Sequence, residues 1–312
     1  MACQPDAASA CKPNAHPRSG SATGGGAAAG DGAAAAADGA AAGGGCAAQS
    51  AFERTLALTE LGDGRFEARI DAGWFGPRAP NGGVLAALMV RAAQAQLGPG
   101  APPPRTVSAH YLEAPAPGPV QLAVEVLRAR PRVSACEVRL HHAGRLACQA
   151  TVLCSAPRSQ PQLALHRQPP AAPAPEQLAE LGVVEAREMP PIFERLALRP
   201  AFGARPFAGA KDALAGGWIA LRDDRQPLDA ARLCALCDLW WPALFARLRK
   251  PNALPTILLT IHLRETRRPA HPPALARFVS SELREGHVEE RGELWSADGR
   301  LLAESLQLAV LV

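Results

Sequence analysis

VSAHYL, Val107–Leu112, and LTIHLR, Leu259–Arg264, are the two stretches whose comparison decides the fold. Laid over one another they place His110 on His262, 152 positions further along. A second match follows in the same order. HAGRLACQATV (His142–Val152) lies over ADGRLLAESLQLAV (Ala297–Val310), with Gly144-Arg145-Leu146 on Gly299-Arg300-Leu301, 155 positions along. All four stretches alternate polar and apolar residues as strands do. The offset drifts by three, as small loop changes produce. Two matches in one order indicate an internal repeat, which must be weighed before any other feature.

The surroundings of the two copies agree. The first begins near Phe52 and has a strand at RFEARI (Arg65–Ile70) and a turn-rich loop, GWFGPRAPNGG (Gly73–Gly83). A helix, VLAALMVRAAQAQL (Val84–Leu97), follows and stops at Gly-Pro-Gly. Strands are expected at Thr106–Leu112, Val120–Arg128, Ser134–His142 and Arg145–Cys154, the last two joined by a tight turn. In the second copy the strand is GGWIAL (Gly216–Leu221) and the helix DAARLCALCDLWWPALFARL (Asp229–Leu248). Strands follow at Thr256–Arg264, Arg277–Leu283, His287–Trp295 and Arg300–Val310. The second helix is apolar most of the way round, so it belongs in a core. Asp229 stands at its N-cap position, and Pro242 predicts a kink or an early end. Asp238 lies in its middle. A carboxylate there must be hydrogen-bonded, paired with an arginine or functional, because an unpaired buried acid is costly. Gly82 and Gly83 open the first helix, where free N–H groups hold negative charge.

Beyond the repeat, residues 1–50 form an Ala/Gly-rich tail with too few large apolar residues for a core. Residues 157–189 read as a Pro-rich linker, leaving two domains at 51–156 and 190–312. The net charge of +4 is mild and the arginines are interspersed with acids, so nucleic acid is not an expected partner. No apolar run is long enough to span a bilayer. The first residues lack the pattern of a secretory leader, which points to the cytoplasm. The Cys234/Cys237 pair has no second pair to complete a zinc site, so no metal is expected. The eight cysteines are expected as reduced thiols, mostly buried.

A helix entered through Gly-Gly and wrapped by an antiparallel meander, twice in tandem, resembles the double hot-dog acyl-CoA thioesterases of the acyl-CoA thioesterase II-like family. The pieces that carry the resemblance are PNGGVLAALMVRAA (Pro80–Ala93), VSAHYLEAPAPGPVQLAVEVLR (Val107–Arg128), CDLWWPALF (Cys237–Phe245), PTILLTIHLR (Pro255–Arg264) and DGRLLAESLQLAV (Asp298–Val310). The resemblance implies an α+β fold, a tandem hot-dog of two antiparallel sheets, each wrapped around a long central helix. It also implies an Asp, a Thr or Ser, and a Gln around one water. These fall on Asp238, Thr256 and Gln307, with Thr260 as the alternative hydroxyl. Two departures bear on substrate preference. Glu113-Ala114-Pro115 stands where relatives often carry Arg-Pro, and Pro131-Arg132-Val133-Ser134 where they often carry Gly-Arg-Ser.

The residue types suit thioester hydrolysis, which needs a positioned water, a base for its proton and donors for the developing oxyanion. Asp238 would orient or deprotonate the water, Thr256 and Gln307 would fix it, and the Gly82 and Gly83 N–H groups would polarise the carbonyl. The implied function is a cofactor-independent acyl-CoA thioester hydrolase with acyl-CoA as its partner, its acyl chain in an apolar tunnel between the halves. A homo-oligomer is compatible with it. Two other readings stay open. A hot-dog enoyl-CoA hydratase would need His110 or His262 to face Asp238, and a non-catalytic acyl-CoA-binding module would keep the fold without turnover.

Overall fold

The structure is a computed structural model that describes residues 49–158, 163, 165–182 and 189–312. Most of the expected tail, including Cys3, Cys11 and Cys46, lies outside these residues. The first described element is a short helix, α1 (Ala51–Thr55), whose N-cap Ser50 accepts from the Glu53 N–H. The N-terminal half then contributes β1 (Thr59–Gly62), β2 (Arg65–Ile70), helix α2 (Gly82–Leu97), β3 (Pro104–Tyr111), β4 (Gly118–Arg128), β5 (Val133–His142) and β6 (Arg145–Ser155). The C-terminal half contributes β7 (Leu196–Gly203), β8 (Leu214–Leu221), helix α3 (Ala230–Leu236), β9 (Thr256–Leu263), β10 (Ala274–Arg284), β11 (His287–Trp295) and β12 (Leu301–Val310). Alternation located ten of the strands. It missed β1, exposed at every position, and β7, which contains Pro200.

The strands form one continuous twelve-stranded sheet in the order β1-β2-β4-β5-β6-β3-β9-β12-β11-β10-β8-β7. This corrects the expectation of two sheets: the halves join where β3 pairs antiparallel with β9, Thr106 opposite His262, Ser108 opposite Thr260 and His110 opposite Leu258. The repeat offset carries Ser108 onto Thr260, so this pair sits on the pseudo-twofold axis. Their hydroxyl oxygens are 3.0 Å apart. Joining at this seam satisfies backbone groups that two separate sheets would leave open as edges.

Irregularities obey the same symmetry. The β3–β6 register skips Arg105, and the β9–β12 register skips Ile257. The β4–β5 register skips Leu127, and the β10–β11 register skips Ser281. Each skip is a bulge, which reverses the face to which the residues beyond it point.

Both helices lie on the inner face of the sheet. α2 packs on β3, β4, β5, β6 and β9, while α3 packs on β9, β12 and α2. In α2, Val84–Val90, Ala92 and Ala93 are all buried, as an all-round apolar helix should be. The second expected long helix is corrected. α3 has seven residues, and the expected 229–248 helix stops before Asp238, which sits in the turn that follows. Pro242 explains why the helix does not run on to Leu248, since a proline disfavours helical backbone at the residue before it, here Trp241. A 3-10 turn at Ala243–Ala246 is all that resumes, yet Leu239, Trp240 and Trp241 remain buried. Their apolar character reflected burial rather than helix.

Part of the expected linker is docked. The Pro173 carbonyl accepts from the Trp218 indole at 2.9 Å, and Ala172 and Leu178 pack on Trp218, Leu275 and Trp295. Glu180 pairs with Arg199 and Arg222. This segment therefore covers the outer face of the C-terminal half.

Candidate functional site

α2 and α3 run antiparallel. The start of α2 therefore meets the end of α3, where the chain turns through Asp238. Asn81 caps α2, accepting from the Val84 N–H at 3.0 Å. Its side-chain nitrogen donates to the Asp238 backbone carbonyl at 2.6 Å and to Asp238 Oδ2 at 2.9 Å. The Gly83 N–H donates to the same Oδ2 at 2.9 Å, and the Gly82 N–H also favours the ionised carboxyl. The two N–H groups expected to face a substrate carbonyl are thus turned to Asp238. The glycines permit the approach. A Cβ on Gly83 would come within 2.7 Å of the Ala235 carbonyl oxygen and 2.8 Å of Asp238 Cβ, and one on Gly82 within 2.9 Å of the Tyr111 ring. Tyr111 fixes this corner by donating its hydroxyl to the Gly82 carbonyl at 2.6 Å.

Burial pushes the Asp238 carboxyl up to about 6, against the pull of hydrogen bonds from Gly83, Gln307, Gly82 and Asn81 toward the charged form. No arginine is among these partners, so an ion pair does not account for the acid. Gln307, buried on β12, bonds the Asp238 carboxyl and also donates to Thr256 Oγ1. Asp238, Thr256 and Gln307 are therefore connected.

The choice between Thr256 and Thr260 turns on the bulge at Ile257. In a regular strand the two threonines would share a face. Skipping Ile257 places Thr256 opposite Ala309, on the inner face with Gln307, whereas Thr260 stands opposite Leu306 and Ser108 on the outer face. The expectation that either could reach the cleft is corrected accordingly. His110 and His262 occupy the outer, exposed face, alternating with buried Val107, Ala109, Ile261 and Leu263. Neither faces Asp238, as a hydratase pair would have to.

Three residues here escaped the reading of the sequence. Asn81 was detectable as an N-cap before Gly-Gly. Tyr111 ends a strand and had no local mark. Glu290, on β11, is opposite Gln307 and within electrostatic reach of Asp238. It was hidden in HVEERGELW, where a Glu-Glu pair reads as a solvated edge.

Cys234 and Cys237 are buried and free, and burial pushes both thiols well above their ordinary value. A shallow cavity of about 310 Å³, lined by Gln94, Leu97, Pro102 and Cys154 among others, opens at the far end of α2 from Asp238. Among the described residues no helix is long and apolar enough to cross a membrane.

Comparison with known proteins agrees with this architecture. Among solved structures, a conserved hot-dog protein of unknown function from Alicyclobacillus acidocaldarius superposes with a TM-score of 0.76 at 23% identity, covering 85% of this chain and 98% of its own. A thioesterase II candidate from Thermobifida fusca gives 0.73 at 24%, with coverages of 85% and 98%. The acyl-CoA thioesterase II TesB2 of Mycobacterium marinum gives 0.64 at 18%, with coverages of 84% and 98%. At these identities the likeness establishes the hot-dog fold. No curated protein sequence matches the chain at a significant level. Two family descriptions do match: the acyl-CoA thioesterase N-terminal domain over residues 70–155 and the acyl-CoA thioesterase C-terminal domain over residues 167–311. With both domains present in order, the chain belongs to the acyl-CoA thioesterase family.

Proposed function

We propose that the protein is a cofactor-independent, cytoplasmic acyl-CoA thioester hydrolase in which Asp238 is the base that activates water. The observation that carries this reading is the state of Asp238. It is an acid held by Gly83, Gln307, Gly82 and Asn81 rather than by a cation, raised to about 6 by burial and connected through Gln307 to Thr256. An acid of that value is largely ionised at neutral pH and remains basic enough to take a proton in the transition state. Gln307 and Thr256 supply the groups that would hold the water beside it. In the proposed reaction, water adds to the thioester carbonyl as Asp238 removes its proton. The carbon–sulfur bond then breaks, giving the free acid and coenzyme A. The Gly82 and Gly83 N–H groups hold the carboxylate at rest. As Asp238 takes the proton its charge falls, and the same donors become available to the oxyanion.

The test is thiol release from acyl-CoAs of short, medium and long chain, with wild type and folded Asp238→Asn in parallel. Turnover by the wild type on at least one chain length is expected, with a loss on the order of 1,000-fold in the variant. Equal rates would remove Asp238 from the mechanism. Binding without turnover across the series would identify an acyl-CoA-binding module.

A further inference from the structure

We propose that Glu290 is the acid partner of Asp238, giving its carboxyl proton to the departing sulfur of the acyl-CoA. The inference rests on the hydrolase reading above and concerns a residue outside the Asp238, Thr256 and Gln307 set.

Three observations place Glu290 in the site. In the sheet register it is directly opposite Gln307, with Ser280 opposite it on the far side. Side chains at opposed positions share a face, so Glu290 points inward with Gln307. Its Oε2 accepts from the Ala243 N–H at 2.5 Å and from Ser280 Oγ at 3.4 Å. Ala243 lies five residues past Asp238, so the strand acid is tied to the segment that carries the base. Both bonds fall on Oε2.

The charge states are complementary. Burial, reinforced by the negative charge of Asp238, pushes the Glu290 carboxyl up to about 7, and burial also raises Asp238. The negative charge of Asp238 thus favours a proton on Glu290, the arrangement an acid–base pair requires. Ser280 and Gln307, opposed to Glu290 on β10 and β12, are neutral. The remaining ionisable neighbours of Asp238 are Tyr111 on β3 and Cys237 beside it, and burial keeps both protonated through this range. Within this site the two carboxyls are the groups described here that change charge between pH 5 and roughly pH 8.

The step balances. Asp238 takes one proton from water, and the hydroxyl oxygen bonds to the acyl carbon. The carbon–sulfur electron pair leaves on sulfur, which takes the proton from Glu290. Asp238 is then protonated and Glu290 ionised. Transfer of that proton from Asp238 to the ionised Glu290 restores the starting state. Protonation matters because a thiolate leaving into a poorly solvated site carries an uncompensated charge.

The experiment uses full-length wild type and Glu290→Gln, which keeps an acceptor for Ala243 and Ser280 but has no proton to give. Both are assayed on acyl-CoA and on an aryl thioester of the same acyl chain, whose thiolate leaves unprotonated. Glu290→Gln is expected to lose on the order of 100-fold in kcat/KM on acyl-CoA and less than about threefold on the aryl thioester. Equal losses on both would assign Glu290 a structural role and overturn the proposal. A readout that needs no variant is the wild-type pH profile. It should rise with an apparent pKa of about 6 and fall with one of about 7. A plateau extending beyond pH 8 would overturn the proposal while leaving Asp238 as the base. Absence of any wild-type turnover would remove the hydrolase reading itself, whereas wild-type turnover lost in Asp238→Asn, with equal losses by Glu290→Gln on both substrates, would remove the Glu290 proposal alone.

Discussion

The two halves of the sheet carry the same row of five positions with opposite chemistry. In the C-terminal half, Leu259, Gln307, Glu290 and Ser280 oppose one another across four strands, with Thr256 brought to the same face by the bulge. Under the repeat their counterparts in the N-terminal half are Val107, Val152, Cys136 and Val126, with Pro104 in place of Thr256. Backbone, register and bulges are shared, whereas the polar groups are confined to one copy. The helix pair repeats the contrast. Where α2 begins and α3 ends, Asp238 is held by amide donors. At the other end Arg232, 4% exposed, binds Asp224 at 2.9 Å and Asp229 at 3.1 Å and also pairs with Glu53, while Arg91 reaches Asp229 at 3.2 Å. The carboxylates at that end are neutralised by arginines and serve the fold. Asp238 has no such partner and is left with a raised, usable proton affinity. Of the counterparts, Val107, Cys136 and Val152 are buried in the core, whereas Val126 is exposed.

The comparison is broken most severely at the ionic end. Arg232→Met leaves Asp224 buried without its cation and should cost about 3–5 kcal/mol in urea unfolding, with kcat of the folded fraction unchanged. A matching loss of kcat would show that the two ends are coupled. Gln307→Leu should reduce kcat/KM by roughly 100-fold, the scale of a lost catalytic hydrogen bond, with KM nearly constant. The symmetry-related Val152→Leu should leave the rate within about twofold and cost only stability, as overpacking does. Gly83→Ala forces a Cβ into Ala235 and Asp238. It should destabilise by about 1–3 kcal/mol and also lower kcat, by displacing the carboxylate.

Stability against pH separates the two ends more finely. The ordinary Asp value is 3.8, and the folded value for Asp238 is about 6. As pH rises through this window the unfolded chain releases a proton that the folded chain retains, so stability falls; above about 6 the deficit is constant. Asp238→Asn should abolish that fall and exceed wild type in stability at pH 7 by about 1–3 kcal/mol. A variant less stable than wild type at pH 7 would mean that the ionised carboxylate supports the fold. The smallest effect is expected at the axis, where Ser108→Val with Thr260→Val should change stability by less than about 1 kcal/mol, the net value of one hydrogen bond.

Much of this is legible in the sequence. Alternation located ten strands, Asp229 was readable as a helix cap, and the offset between His110 and His262 is the same offset that relates Ser108 to Thr260 at the seam. Asp238 stood out because an acid among Leu236, Leu239, Trp240 and Trp241 needs a reason. The length of its helix was misread, because an apolar run records burial and Trp240 and Trp241 are buried without being helical. The Thr256–Thr260 choice had no local solution. It depends on one skipped residue, and a bulge is specified by pairing between strands rather than by the bulged strand alone. Glu290 was invisible for a related reason. Its neighbour Gln307 is 17 positions away in the chain, and its anchor is a backbone amide on another element.

The amino-acid order by itself determined the local periods, the caps, the duplication and the presence of one unexplained acid, since each depends on residues close in the chain or on a repeated pattern. Tertiary structure alone decided that the two halves share one sheet, that α3 ends before Asp238, and that Thr256, Gln307 and Glu290 lie on the inner face, with Gln307 bonded to the acid, while both histidines lie on the outer face. Those outcomes depend on strand register and helix approach, where a shift of one residue reverses a side chain and a single Cβ at Gly83 would separate the groups that hold Asp238.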